Sequence, residues 1–281
     1  MNPPGDHIEQ VGGVDLCVET FGDPSDPAIL LIHGAGSSML SWDEELCGRL
    51  ADGGRHVIRY DLRDAGRSVT YAPGTSDYGY ADLVEDATGL LDALGVERAH
   101  VLGMSLGGGV AQLLALDHPG RVSALTLASA TPGGPGQPTP DLPGPSDDLT
   151  EPPEPDWSDR DSVVVYLVEA ERPFAARSRP YDEAAARALM RRVVERSTNL
   201  EWGLSDSASF DVGEPWRERL GDLAAPTLVM HGTEDPMFPI EHAEALAREI
   251  PGAELLPLEA TGHEYFPRHT WDVVIPAILS R

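Results

Sequence analysis

The sequence predicts an α/β protein built on a mostly parallel sheet covered by helices on both faces. Strand-length apolar runs alternate with helical segments of about ten to fifteen residues, the pattern of parallel strands joined by helical crossovers. One such run ends in Gly103-Met104-Ser105-Leu106-Gly107, which leads directly into a helix. The alternation breaks after Thr131 and resumes at Pro226, so a long insertion interrupts the sheet.

Residues 7–11 and 14–21 predict a strand pair turned at Gly12-Gly13. The continuous apolar run 28–32 predicts a strand covered on both faces, and His33-Gly34-Ala35-Gly36 follows it. A helix is expected over 41–52, capped by Ser41 or an earlier serine and stopped by Gly53-Gly54. Residues 56–60 predict a strand leading into Asp61-Leu62-Arg63-Asp64-Ala65-Gly66-Arg67-Ser68. Over 81–94, Leu83, Val84, Ala87, Leu90, Leu91 and Leu94 share one helical face, and Gly95 is the stop. Strands at 99–102 and 122–128 flank the Ser105 turn and its helix.

Nine prolines between Pro132 and Pro155, mixed with glycine and aspartate, predict an extended or mobile loop. Helices follow at 162–171 and 182–196, the second with Glu183, Arg187, Arg191 and Glu195 spaced four apart. Beyond the insertion come a strand at 226–230 ending in His231-Gly232, a helix at 240–249, a strand at 253–258 and a helix at 269–280.

The chain has 281 residues, enough to bury a large core, and a formal net charge of −27. So acidic a surface argues against nucleic acid or anionic membrane as a partner. The two cysteines, Cys17 and Cys47, make neither a disulfide framework nor a metal site and are read as reduced thiols. No stretch reaches membrane-span length, and the first residues lack the basic and apolar regions of a signal peptide, so a cytoplasmic location is expected.

A serine on so tight a strand-to-helix turn is held in a strained backbone with its hydroxyl pushed out of the sheet, while Gly103 and Gly107 let strand and helix approach. The geometry suits a nucleophile, although a glycine-rich turn whose serine merely caps a helix gives the same string. A nucleophilic hydroxyl needs a base and a group that orients the base. His263, after the last strand, lies at the sheet edge onto which every parallel strand opens its carboxyl end. Asp235, just past the preceding strand, is the acid candidate, with Glu234 as its rival. An oxyanion also needs two aimed donors: the N–H of Leu106 at the helix N-terminus, and that of Ala35, where Gly34 and Gly36 allow close approach. Metal and cofactor are not required by this chemistry.

On His33-Gly34-Ala35-Gly36, the 61–68 segment, the Ser105 pentapeptide, Gly232-Thr233-Glu234-Asp235 and Gly262-His263, the chain resembles the α/β-hydrolase family over nearly its whole length. Within that family it looks most like the capped esterases related to aclacinomycin methylesterase, particularly in residues 21–27 and 50–61. The resemblance implies an eight-stranded, mostly parallel sheet, with 1–131 and 215–281 as the core and 132–214 as a proline-rich loop and helical cap. It also implies a serine esterase: Ser105 as nucleophile, Asp235 as acid, His263 as base, and Ala35 and Leu106 as the oxyanion hole. The expected substrate is a small hydrophobic or aromatic ester, hydrolysed by a monomer or homodimer. Dehalogenases and epoxide hydrolases of this fold carry Asp where Ser105 stands, so those chemistries are disfavoured. The same triad would also serve carbon–carbon bond hydrolysis or perhydrolysis, and some relatives of this fold are non-enzymatic small-molecule receptors.

Other features have blander readings. Arg172, Arg177, Arg179, Arg187, Arg191, Arg192 and Arg196 are expected to form a solvated face paired with acids, rather than a steering patch for anions. Trp157, Trp202 and Trp216 could line an aromatic pocket or simply pack the cap. Asp61, Arg63 and Asp64 should hold a turn, and His231 should pack at a strand end.

Overall fold

The computed structural model describes residues 5–72, 75, 77–199, 201 and 211–281. Eight strands form one sheet: β1 (His7–Val11), β2 (Val14–Phe21), β3 (Ala28–Ile32), β4 (His56–Tyr60), β5 (Ala99–Met104), β6 (Val122–Ala128), β7 (Thr227–Gly232) and β8 (Glu254–Leu258). Their order is β1-β2-β4-β3-β5-β6-β7-β8. Only the β1–β2 and β2–β4 pairs are antiparallel, and all others are parallel. The path steps outward from β3 to β4, then crosses back to β5 on the other side of β3. That reversal opens a crevice at the carboxyl ends of β3 and β5, the place where open α/β sheets bind ligands.

The apolar runs divide by parity between the two faces. Leu30 and Ile32 of β3 pack with α2 (Tyr80–Ala93), α3 (Leu106–Asp117) and α6 (Glu241–Glu249), whereas Ile29 and Leu31 pack with α1 (Glu44–Asp52) and α7 (Trp271–Leu279). Each such side chain stabilises the fold by about 1.5–3 kcal/mol. α1 starts later than the sequence suggests. Residues Met39–Ser41 form a separate 3-10 turn capped by Ser38, and Asp43 caps α1 by accepting from Glu45 N–H at 2.7 Å. The tryptophan between them, Trp42, is fully buried and its backbone carbonyl accepts from Arg59, which ties the turn to the sheet.

Between β6 and β7 the chain leaves the sheet. Helices α4 (Arg160–Glu171) and α5 (Glu183–Arg196) pack on each other through Val163, Val164, Leu167, Val168 and Val194, with Trp157 against Tyr166. The proline-rich stretch has neither helix nor strand, but it is pinned. Gln112 Nε2 donates to the Thr131 carbonyl at 2.9 Å, Ser146 N–H to the Pro236 carbonyl at 2.7 Å, and His242 Nε2 lies 2.8 Å from the Pro143 carbonyl. Two polar side chains of the core and one backbone bond to the loop after β7 thus supply the order that proline cannot obtain from backbone ladders. Trp216 is buried, packs edge-on against Tyr80 and belongs to the core rather than to a pocket. Trp202 lies outside the described residues.

Cys17 and Cys47 are both buried and unbridged, and burial pushes each thiol up to about 12. No helix among the described residues is long and apolar enough to cross a membrane. His33, His56, His100 and His231 are all buried, and burial holds each imidazole below its usual range, His100 at about 4. Below about pH 6.5 an unfolded imidazole takes a proton that these folded ones refuse, so the unfolded state binds more protons and stability falls. Urea midpoints should therefore drop as pH falls from 6.5 toward 4. His100 alone should withdraw on the order of 1 kcal/mol per pH unit, and a midpoint flat across that window would contradict this account.

Candidate active site

Ser105 sits between the last residue of β5 and the first of α3, at φ 52° and ψ −116°. A non-glycine residue is rarely found there, and the surroundings must over-determine it. Ser105 N–H donates to the Ala128 carbonyl at 3.1 Å, and its own carbonyl receives Gly108 and Gly109 N–H. A Cβ on Gly103 would strike the Gly107 carbonyl, and one on Gly107 would strike the carbonyls of Ile32 and His33. Only glycine at both positions lets the turn close.

The loop after β3 runs beside this turn. A Cβ on Gly34 would come within 3.2 Å of both Ser105 Cβ and Tyr265 Oη. His33 braces the loop from beneath: its buried ring accepts Leu62 N–H at Nε2 (3.0 Å) and donates from Nδ1 to the Gly34 carbonyl (2.8 Å). This fixes the neutral tautomer, in keeping with burial holding the His33 imidazole below its usual range. Ala35 and Gly36 stay exposed above it. Neither Ala35 N–H nor Leu106 N–H donates to another group among the described residues, so both backbone donors remain available.

Asp235 and His263 meet at the ends of β7 and β8. His263 Nδ1 lies 2.8 Å from Asp235 Oδ2, and the other carboxylate oxygen accepts Met237 N–H and Phe238 N–H, each at 2.9 Å. Burial alone would raise the Asp235 carboxyl, but the charge and hydrogen bond of His263, helped by His231 and the Phe238 N–H, hold it below the usual carboxylate range. Glu234, the rival acid, points elsewhere and bonds Ser178 through both its hydroxyl and its N–H. His231 donates from Nε2 to the Phe238 carbonyl at 2.7 Å and stands 3.5 Å from Asp235 Oδ2. It braces the loop that carries the acid, a role that strand-end packing does not capture.

The His263 ring is walled by Phe174 and Phe238, with ring centres at 5.9 and 5.5 Å. Among the described residues no hydrogen bond joins Ser105 Oγ to His263. The structure therefore assembles Asp235 with His263 and leaves the serine hydroxyl unbonded beside Gly34.

Three groups at this edge carry no motif in the sequence. Tyr265 Oη accepts Gly34 N–H at 2.6 Å and so joins the loop after β3 to the loop of His263. Glu264 accepts Gly262 N–H at 2.9 Å and Ala176 N–H at 3.2 Å, and it pairs with Arg179 at 2.5 Å. His263 N–H itself donates to the Phe174 carbonyl at 2.8 Å. The segment after α4 thus grips the loop of His263 directly.

The arginines of this region follow the expected pairing in part. Arg172, Arg187 and Arg191 pair with acids on or beside α4 and α5. Arg196 is instead largely buried and bonds Asp6 at 2.8 Å and Asp61 at 2.6 Å, tying α5 to the turn after β4. In that turn Asp61 also accepts the N–H groups of Met39 and Arg67, while Arg63 pairs with Asp86 and Asp64 accepts Tyr71 N–H. A cavity of about 450 Å³ lies beside the Arg196 contacts, lined by paired charges such as Arg59 and Glu19, and it contains none of the residues around Ser105. No group of three or more His, Cys, Asp or Glu suited to a metal ion occurs among the described residues.

Comparison with known proteins agrees with this fold. The pattern of the alpha/beta hydrolase fold family matches residues 27–270. The chain is 36% identical over 278 residues to the rhodomycin D methylesterase DauP of Streptomyces sp. (strain C5), covering 89% of each. It is 34% identical over 280 residues to the rhodomycin D methylesterase DnrP of Streptomyces peucetius, again covering 89% of each. Among solved structures, a meta-cleavage product hydrolase from Pseudomonas fluorescens shares the fold, with a TM-score of 0.74 at 24% identity, covering 98% of this chain and 96% of that one.

Proposed function

This chain belongs to the alpha/beta hydrolase fold family and is a carboxylic ester hydrolase, and we propose that it works through an acyl-enzyme on Ser105. The observation that carries the mechanism is the Asp235–His263 hydrogen bond, standing at the same sheet edge as the strained Ser105 turn. Residues 132–214 act as the cap that shapes the substrate recess. The two methylesterase relatives support a methyl ester as the scissile group, and the rings of Phe174 and Phe238 flanking His263 support an aromatic acid.

In this reading substrate draws the Ser105 hydroxyl onto His263 Nε2, a bond that free enzymes often leave open and close only in the Michaelis complex. Ser105 Oγ attacks the ester carbonyl as Nε2 takes its proton. The oxyanion is held by the N–H groups of Ala35 and Leu106, the latter at the positive end of α3. Asp235, ionised and buried, keeps the proton of Nδ1 in place and stabilises the imidazolium. His263 then protonates the departing alkoxide, and methanol leaves. Water, deprotonated by the same nitrogen, attacks the acyl-enzyme and releases the acid.

The test is methanol release from a panel of aromatic methyl esters, run beside carbon–carbon substrates of the dienoate type. Turnover of methyl esters is expected. Cleavage of the dienoates without methanol release from any ester would overturn the reading.

A further inference from the structure

The connection between α4 and α5 carries two adjacent side chains that grip the sequence neighbours of the acid and of the base. Ser178 binds Glu234, the residue before Asp235, through its hydroxyl and through its N–H at 3.0 Å. Arg179 binds Glu264, the residue after His263, at 2.5 and 2.7 Å, and its Nε donates to the Ala260 carbonyl at 3.2 Å. Glu264 in turn accepts Gly262 N–H at 2.9 Å and Ala176 N–H at 3.2 Å. One carboxylate thus ties the loop of the base to the insertion between β6 and β7.

The backbone is shaped for the same contact. A Cβ on Gly262 would lie 2.1 Å from the Phe174 carbonyl and 2.8 Å from the Ala176 nitrogen, so only glycine admits the connection this close to the base. His263 N–H donates to that same carbonyl at 2.8 Å. The loop is also strained: Ala260 and Phe266 hold φ values of 51° and 33°, where non-glycine residues persist only if their surroundings over-determine them. Arg179 supplies that support at Ala260, whose carbonyl it holds. The bond to Asp235 fixes one nitrogen of the imidazole. Where the other nitrogen points is set by the backbone that carries the ring, and a small error there is costly to the reaction.

We propose that Arg179 and Glu264 are positioning residues of the reaction, an ion pair that reaches from the insertion, sets the backbone of the base loop and so aims His263 Nε2 at Ser105. The inference rests on the reading of Ser105, His263 and Asp235 as an esterase site. It adds to the triad a device that lies in neither the nucleophile turn nor the acid loop.

The test compares the methyl and p-nitrophenyl esters of one aromatic acid. Methoxide needs a proton from His263 to leave, whereas p-nitrophenolate departs without one, so a misaimed imidazole penalises the methyl ester more. In Arg179→Met and in Glu264→Gln, kcat/KM on the methyl ester should fall by about ten- to a hundredfold, and clearly less on the p-nitrophenyl ester. The ratio between the two esters does not depend on how much of a sample is folded. Glu264→Gln keeps an oxygen for the Gly262 and Ala176 N–H groups, so it carries the test where Arg179→Met does not fold. Arg177→Met breaks an exposed pair with Asp148 in the same connection and should match wild type on both esters. Wild-type kcat/KM on the methyl ester in Arg179→Met and Glu264→Gln, an equal loss on both esters, or the same loss in Arg177→Met would overturn the proposal. An equal loss would make the pair a support of the fold alone. Failure of the esterase reading is separately visible, as Ser105→Ala would then still hydrolyse both esters.

Discussion

Ser105→Ala is expected to lower kcat on any methyl ester by about 10⁵- to 10⁶-fold, since removal of the nucleophile from a triad leaves only the donors and the binding surface. The fold should barely notice. The side chain makes no hydrogen bond to lose, and alanine meets the same backbone cost at φ 52°. Ser105→Gly separates the two effects further. It abolishes turnover equally, but glycine tolerates a positive φ, so the melting temperature should rise. That pairing of lost activity with gained stability would mark the turn as strained for function. Thermal melts and single-turnover assays on the three proteins check it, and an alanine variant within tenfold of wild type would remove Ser105 from the chemistry.

Asp235→Asn should cost about 10⁴-fold in kcat with little change in KM. The wild-type carboxylate uses one oxygen for the Met237 and Phe238 N–H groups and the other for His263 Nδ1. Asparagine has a single oxygen. If that oxygen keeps the two backbone bonds, the amide NH₂ faces Nδ1, and the imidazole must carry its proton on the nitrogen that should accept from Ser105. The substitution also changes the response to acid. Because the folded Asp235 carboxyl lies below its unfolded value, it stabilises the protein above the ordinary carboxylate range. That contribution is lost as pH falls through the folded value, and the asparagine variant should lack this part of acid unfolding. An Asn variant with wild-type kcat would exclude Asp235 as the orienting acid.

Most of the architecture was legible because its strands are buried on both faces. Runs such as 28–32 and 56–60 read as unbroken strands, and the observed β3 and β4 have those bounds. Helix starts were harder. The separate turn at Met39–Ser41, which delays α1, is held by Arg59 and Asp61, which reach it from β4 and just beyond it. At the reaction centre, motifs carried the residues fixed by backbone geometry, because a glycine that must yield to a carbonyl leaves a local trace. Glu264, Tyr265 and Arg179 left none. Their meaning lies in contacts such as Tyr265 with Gly34 and Arg179 with Glu264, between segments far apart along the chain. His231 was read as packing for the same reason: its partner, the Phe238 carbonyl, belongs to a loop whose path the sequence does not disclose.

The most direct test of the account is covalent labelling with a fluorophosphonate ester, followed by peptide mass spectrometry. The account predicts one phosphonyl group per chain, on the peptide spanning the β5–α3 turn and on Ser105, with loss of ester hydrolysis in proportion to labelling. Labelling of another residue, or full hydrolysis by a fully labelled protein, would contradict it.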